Sequence, residues 1–179
     1  MATDTLKIGS QAPKFTLPAT DSNIYSLESF SNKKALVVIF SCNHCPYVQA
    51  YEGRIIEIQN EYAGEVQIAA ISSNEDTNYP EDSFAKMKER AQLKKFNFPY
   101  LHDGTQLIAK AYGATHTPEI FLFDSKRELV FHGKIDDNWQ EPQSVKSKYL
   151  RNAIDELLSG KQISVPETFT IGCTIKWRK

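Results

Sequence analysis

Six consecutive apolar residues, Ala35, Leu36, Val37, Val38, Ile39 and Phe40, leave no polar face, the pattern of a parallel strand covered on both sides. Soon after them the period changes. Val48, Tyr51, Ile55, Ile58 and Tyr62 recur at spacings of three and four, which draws one apolar stripe on a helix with Gly64 as its stop. Residues 66–71 give a second buried strand, so strand, helix and strand make a crossover unit. Upstream, residues 15–17 and 23–25 flank a turn-rich segment and read as a small hairpin, followed by one helical turn over 26–30. Downstream, 72–80 is a polar loop. Residues 83–96 are a helix with Phe84, Met87 and Ala91 facing inward and a solvated charged face, and 107–112 form a short helix before Gly113. Residues 119–124 and 128–132, joined by a tight turn, are an antiparallel hairpin that makes the sheet mixed. Val145, Tyr149, Ala153, Ile154, Leu157 and Leu158 define a last amphipathic helix ending at Gly160. Residues 161–179 have no period and read as a tail packed on the body. The expected fold is α/β, a central mixed sheet flanked by helices, in a single domain over 1–179 with its core at about 8–160.

Composition narrows the function. With 179 residues, 41% of them hydrophobic, the chain can bury a sizeable core without staples. Its 21 Lys and Arg nearly balance 22 Asp and Glu, which argues against nucleic acid or a membrane surface as partner. The N-terminal residues lack a secretory h-region, and no stretch approaches the roughly 20 apolar residues of a spanning helix, so a cytoplasmic location is expected. Three cysteines in a reducing compartment argue for a pair that cycles over a structural framework.

The chemistry is concentrated between the first strand and the first helix. Cys42, Asn43, His44, Cys45 and Pro46 form a CxxCP box at that junction. Thiols delivered to a helix start meet unpaired backbone N–H groups and the positive dipole end, which favour thiolate over thiol. Cys42 is therefore expected to be a reactive nucleophile. A structural zinc site needs four ligands and the chain has neither a second CxxC nor an HxxxH, although Cys173 and His44 could in principle complete one. A redox pair without bound metal or cofactor accounts for the box best.

Four features together resemble the thioredoxin-like superfamily, in its redoxin (AhpC/TSA-like) branch. They are the segment 9–15 leading into a hairpin, the strand with its CxxC box, the pair Thr117 and Pro118, and the hairpin that follows. The likeness extends to small bacterial proteins described as thiol-disulfide isomerase or thioredoxin, through residues 42–48, 117–119 and a terminal 172–177. It implies a thioredoxin-like fold with an N-terminal hairpin extension and a helical insertion before the Pro118 strand. It also implies that Pro118 is cis and packs on the two sulfurs, while Thr117 offers its backbone to an extended substrate.

On this resemblance Cys42, the more exposed sulfur, attacks a disulfide, and Cys45, one turn further in, resolves the mixed disulfide. His44 between them is expected to lower the Cys42 pKa. Plain thioredoxins carry a buried aspartate beneath the pair and a tryptophan before it. Here those positions are apolar and Ser41, which leaves Glu119 as the proton acceptor to test for Cys45. Cys173 is either an inert buried thiol or a third redox partner brought near Cys42. His102, His116 and His132 read as loop or strand residues, with His116 close to the cleft.

Departures from the pattern matter too. A peroxiredoxin places a threonine three positions before its cysteine and a proline upstream, but Ile39 and Ala35 stand there. The expected function is thiol-disulfide exchange, with a protein or small-molecule disulfide as substrate and a thiol as electron donor. An atypical thiol peroxidase is the alternative. A Cu(I)-binding module comes third, because the redoxin-type carriers space their cysteines by three residues where this chain has two.

Overall fold

The computed structural model describes residues 4–179. A hairpin of β1 (Thr16–Pro18) and β2 (Ile24–Ser26) leads through a 3₁₀ turn, Leu27–Phe30, into β3 (Ala35–Ser41), every residue of which is buried. Helix α1 (Pro46–Tyr62) returns the chain to β4 (Val66–Ser72), which runs parallel to β3 from Ala35 opposite Val66 to Ser41 opposite Ser72. Helix α2 (Phe84–Lys94), β5 (Tyr100–His102) and α3 (Leu107–Tyr112) form the insertion. The two-residue β6 (His116–Thr117) precedes the hairpin of β7 (Glu119–Phe123) and β8 (Leu129–Gly133). Helix α4 (Tyr149–Leu158) and β9 (Cys173–Thr174) complete the chain.

The main sheet has the order β5-β4-β3-β7-β8, with β7 antiparallel to β3. Alternation along β3 sends Leu36, Val38 and Phe40 to one face and Val37 and Ile39 to the other. The first set packs with Ile71, Phe121 and Phe123 beneath the N-terminal hairpin and α3, where Tyr112 meets Phe40 edge-on at 5.3 Å. The second meets Tyr51, Ile55 and Ile58 of α1, Met87 of α2, and Leu150 and Ile154 of α4. Both faces are covered, so the strand reads as an unbroken apolar run. Each such side chain contributes about 1.5–3 kcal/mol by leaving water.

The mixed sheet, the hairpins and the four helices match the sequence pattern, with shifts at some ends. Lys95 adopts a left-handed conformation (φ 55°) and stops α2 at Lys94, while Val145 lies outside α4 behind a 3₁₀ turn, Pro142–Ser144. Two pairings had no visible signal. β5 is three residues long and exists by pairing with β4, and the tail forms a ladder, His116 opposite Thr174 and Thr117 opposite Cys173. Buried Glu52 of α1 takes a two-pronged pair from Arg90 of α2, at 3.0 and 2.5 Å. That clamp holds α2 on α1, and with it the preceding 3₁₀ turn Pro80–Asp82, which reaches the cysteines. Among the described residues no helix is long and apolar enough to cross a membrane.

Candidate active site

Strand β3 ends at Ser41, and the next four residues turn the chain into α1. Pro46 occupies the first helical turn, where its missing N–H costs nothing, and Cys45 is the N-cap. This corrects the expectation that Cys45 sits a turn inside the helix. Cys42 precedes the helix, and the dipole acts most directly on Cys45.

Asn43 locks the box. Its backbone N–H donates to Asp82 Oδ1 at 2.7 Å, its side-chain amide donates to the Glu81 carbonyl, and its Oδ1 accepts from the Tyr100 hydroxyl at 2.8 Å. Gln49 in the first turns of α1 donates to its carbonyl. The loop between the thiols is therefore rigid.

Across the cleft, Thr117 and Pro118 are joined by a cis peptide bond. Thr117 Oγ1 lies 3.5 Å from Cys42 Sγ, and the Thr117 carbonyl oxygen lies 3.3 Å from Cys45 Sγ, to which the Cys45 thiol can donate. Both sulfurs are buried, Cys42 at 2% exposure and Cys45 at 0%. Cys173 Sγ is 2.8 Å from Cys45 Sγ and is partly exposed. The most accessible sulfur of the three is therefore on the tail, and its neighbour is Cys45 where the sequence suggested Cys42.

The charge rests on the other cysteine from the one expected. The adjacent Cys42 thiol lowers the Cys45 pKa to about 4, and Cys173 and backbone N–H groups of Val48 and Cys173 act in the same direction against the cost of burial. Cys42 is pushed up, by donating to Cys45, by burial and by the negative charge of Asp82. The pair shares one proton, which stays on Cys42. His44 does not offset this, because its Nδ1 lies 2.5 Å from Asp82 Oδ2 and its ring stacks on Tyr79.

Asp82 is the buried carboxylate whose absence the strand positions suggested. It arrives from the turn before α2, where no local pattern marks it. Its Oδ2 also accepts from Asn74, so both oxygens are engaged. Cys42 Sγ, His44 Nδ1 and Asp82 Oδ2 lie within 4.8 Å of one another, a sulfur, nitrogen and oxygen donor set of the kind zinc accepts. With the carboxylate already hydrogen-bonded, the trio works as an electrostatic cluster around Cys42. Asp82→Asn is expected to make Cys42 easier to ionise, seen as faster alkylation at neutral pH. Because an amide has only one oxygen, either the Asn43 N–H or the Asn74 amide loses its acceptor, which also costs about 1–3 kcal/mol.

Glu119 is buried and committed elsewhere. Its Oε2 accepts from the backbone of Thr115 and His116, and Oε1 pairs with His132 Nε2 at 2.7 Å. It braces the approach to β6, which also accounts for His132, and its carboxylate oxygens are taken up before they can serve Cys45. His102 stacks on Phe84 of α2. His116 lies in β6, opposite Thr174.

The depressed Cys45 pKa has a consequence for the reduced protein. A thiol ionising at about 4 in the folded chain and near 9 when free is deprotonated only in the folded state between those values. Stability therefore rises with pH across this window and is lost as pH falls toward 4. Above about 9 the sign reverses, because Cys42 and Cys173, the latter pushed up to about 11 by burial and by Cys45, hold their protons longer when folded. Urea unfolding of the reduced chain is expected to show this rise between pH 5 and 8, and Cys45→Ser to remove it.

The family profile described as AhpC/TSA matches residues 8–132. A hypothetical protein of Sinorhizobium meliloti 1021 is 36% identical, covers 98% of this chain and 97% of its own, and superposes with a TM-score of 0.90. An uncharacterised conserved protein of Geobacillus kaustophilus is 37% identical over 99% and 96%, with a TM-score of 0.91. The thioredoxin domain of a Bacteroides vulgatus thiol-disulfide oxidoreductase shares the fold at 20% identity, over 72% and 89%, with a TM-score of 0.61. No curated protein matches.

Proposed function

The chain belongs to the AhpC/TSA family, the redoxin branch of the thioredoxin-like superfamily, and we propose that it is a thiol-disulfide oxidoreductase working through Cys42 and Cys45. The observation that carries this reading is the pair of thiols at a strand-to-helix junction, sharing one proton and facing the cis Thr117–Pro118 bond.

In the reduced form Cys42, beside the Thr117 hydroxyl, attacks a substrate disulfide, and its proton passes to the departing substrate sulfur. A mixed disulfide forms on Cys42 and one substrate thiol leaves. Cys45, already ionised, then attacks the Cys42 sulfur, closing the Cys42–Cys45 disulfide and expelling the second substrate thiol. Two electrons pass to the substrate. Stabilising a thiolate favours the reduced protein, so the couple is expected to be oxidising relative to one with an ordinary thiol.

A protein disulfide fits the surroundings best. Tyr47 packs against Trp139 with tilted rings 4.3 Å apart, Ile171 shares a small pocket with Trp139, and Phe169 nearby in sequence is 91% exposed. These apolar groups suit a polypeptide partner.

The test is turnover of insulin disulfides with dithiothreitol, run beside consumption of hydrogen peroxide. Rapid insulin reduction with slow peroxide loss is the expected result, since buried Ile39 offers no hydroxyl to a peroxide. Fast peroxide consumption with sulfenic acid on Cys42 and no insulin reduction would overturn the reading in favour of a peroxidase.

A further inference from the structure

Substrate strands are expected to pair at the Thr117 edge, but that edge is already occupied. β9 of the tail pairs there, with Cys173 directly opposite Thr117. The tail is docked over its whole end. Ile175 is buried and its N–H donates to the Thr115 carbonyl, Glu75 N–H donates to the Lys176 carbonyl, and Lys176 N–H donates to Asn74. Gln106 donates to the same Lys176 carbonyl and accepts from Arg178 N–H. These bonds fix Cys173 Sγ 2.8 Å from Cys45 Sγ, hydrogen-bonded and short of the roughly 2.0 Å of a disulfide.

We propose that Cys173 is a third member of the redox centre, which takes over the disulfide by bonding to Cys45 and so makes the tail the chain's own internal substrate. This rests on the Cys42–Cys45 exchange reading and extends it. In the oxidised chain the Cys173 thiolate attacks the Cys45 sulfur. The Cys45–Cys173 bond forms, the Cys42–Cys45 bond breaks with its electron pair on Cys42, and Cys42 takes up the proton that Cys173 gave up. No electron enters or leaves. An external thiol then attacks Cys173, the accessible sulfur, and the Cys45–Cys173 bond breaks with its pair on Cys45. A second external thiol resolves the mixed disulfide on Cys173. The net change is two thiols oxidised to one disulfide and the protein reduced by two electrons.

Each step suits the sulfur that performs it. Cys173 is the most exposed of the three sulfurs, so an external thiol meets it first. Cys45, held as thiolate, is the best leaving group of the three.

Trypsin separates the outcomes. Cys42 and Cys45 share the peptide 35–54, whereas Cys173 lies on 162–176. The full chain is oxidised with oxidised glutathione, quenched in acid, alkylated with iodoacetamide, digested and mapped by mass spectrometry. Wild type is expected to give an internal disulfide in 35–54 together with a cross-linked fraction joining 35–54 to 162–176. Cys42→Ser, and equally Cys42→Ala, is expected to give the cross-link as the main species, and Cys173→Ser to slow reduction of the oxidised chain by glutathione about tenfold or more. An internal disulfide in wild type, with Cys173 alkylated or glutathionylated in both Cys42 variants and no cross-link, overturns the relay and leaves the exchange reading intact. Failure of wild type to form either disulfide overturns the exchange reading itself.

Discussion

Cys45→Ser is expected to bring insulin reduction down to the uncatalysed rate, a loss on the order of 10³-fold, whereas Cys173→Ser retains much of it. Cys45 is the hub, with Cys42 sharing its proton and Cys173 2.8 Å away, so removing its sulfur removes both possible disulfides. Cys42→Ser leaves one of them. The variant also separates chemistry from folding, because serine is among the best N-cap residues and position 45 is the N-cap of α1. Circular dichroism and the urea midpoint at pH 5 should stay close to wild type while activity disappears. Substantial exchange by Cys45→Ser would show that Cys42 and Cys173 suffice and would remove Cys45 from the centre.

What the sequence revealed and concealed follows the range of the interactions. The unbroken apolar run of β3, the three-and-four stripe of α1 and the hairpin of β7 and β8 are local patterns set by burial, and each was readable. The thiol pair at the strand-to-helix junction was readable for the same reason. β5 and the β6–β9 ladder were not, because two or three residues become strands only when a distant partner supplies the hydrogen bonds. Asp82 lies in a polar turn 40 residues past Cys42 with no local pattern to mark it, and that turn is held against the site by long-range bonds, from Asn43 and Asn74 to Asp82 and from Arg90 of α2 to Glu52. The polarity of the couple depends on the same kind of contact. The motif alone places the helix dipole on Cys42, yet Pro46 starts the helix one residue after Cys45, and Cys42 is pushed up by its hydrogen bond to Cys45, by burial and by the Asp82 charge from a segment outside the motif.

Gly172→Ala is expected to unlatch the tail. A Cβ at this position would run into the Thr117 carbonyl and approach the Pro118 nitrogen, both backbone groups that cannot swing aside. Either β9 leaves β6 or the Thr117–Pro118 segment shifts, and the two-residue ladder is the weaker of the two because β7 is held along β3 from Glu119 to Phe123. Forcing one methyl into such a contact costs about 1–3 kcal/mol, enough to release a short edge pairing while the main sheet stays folded. Cys173 should then react with iodoacetamide at the rate of an ordinary exposed thiol, and the cross-link from 35–54 to 162–176 should fall to a trace while the internal disulfide of 35–54 still forms. Thr174→Ala, an exposed substitution one residue beyond Cys173, keeps the backbone ladder and should leave both disulfides as in wild type. If Gly172→Ala retains the cross-link at the wild-type level, Cys173 reaches Cys45 without the ladder, and the docked strand is not what places it.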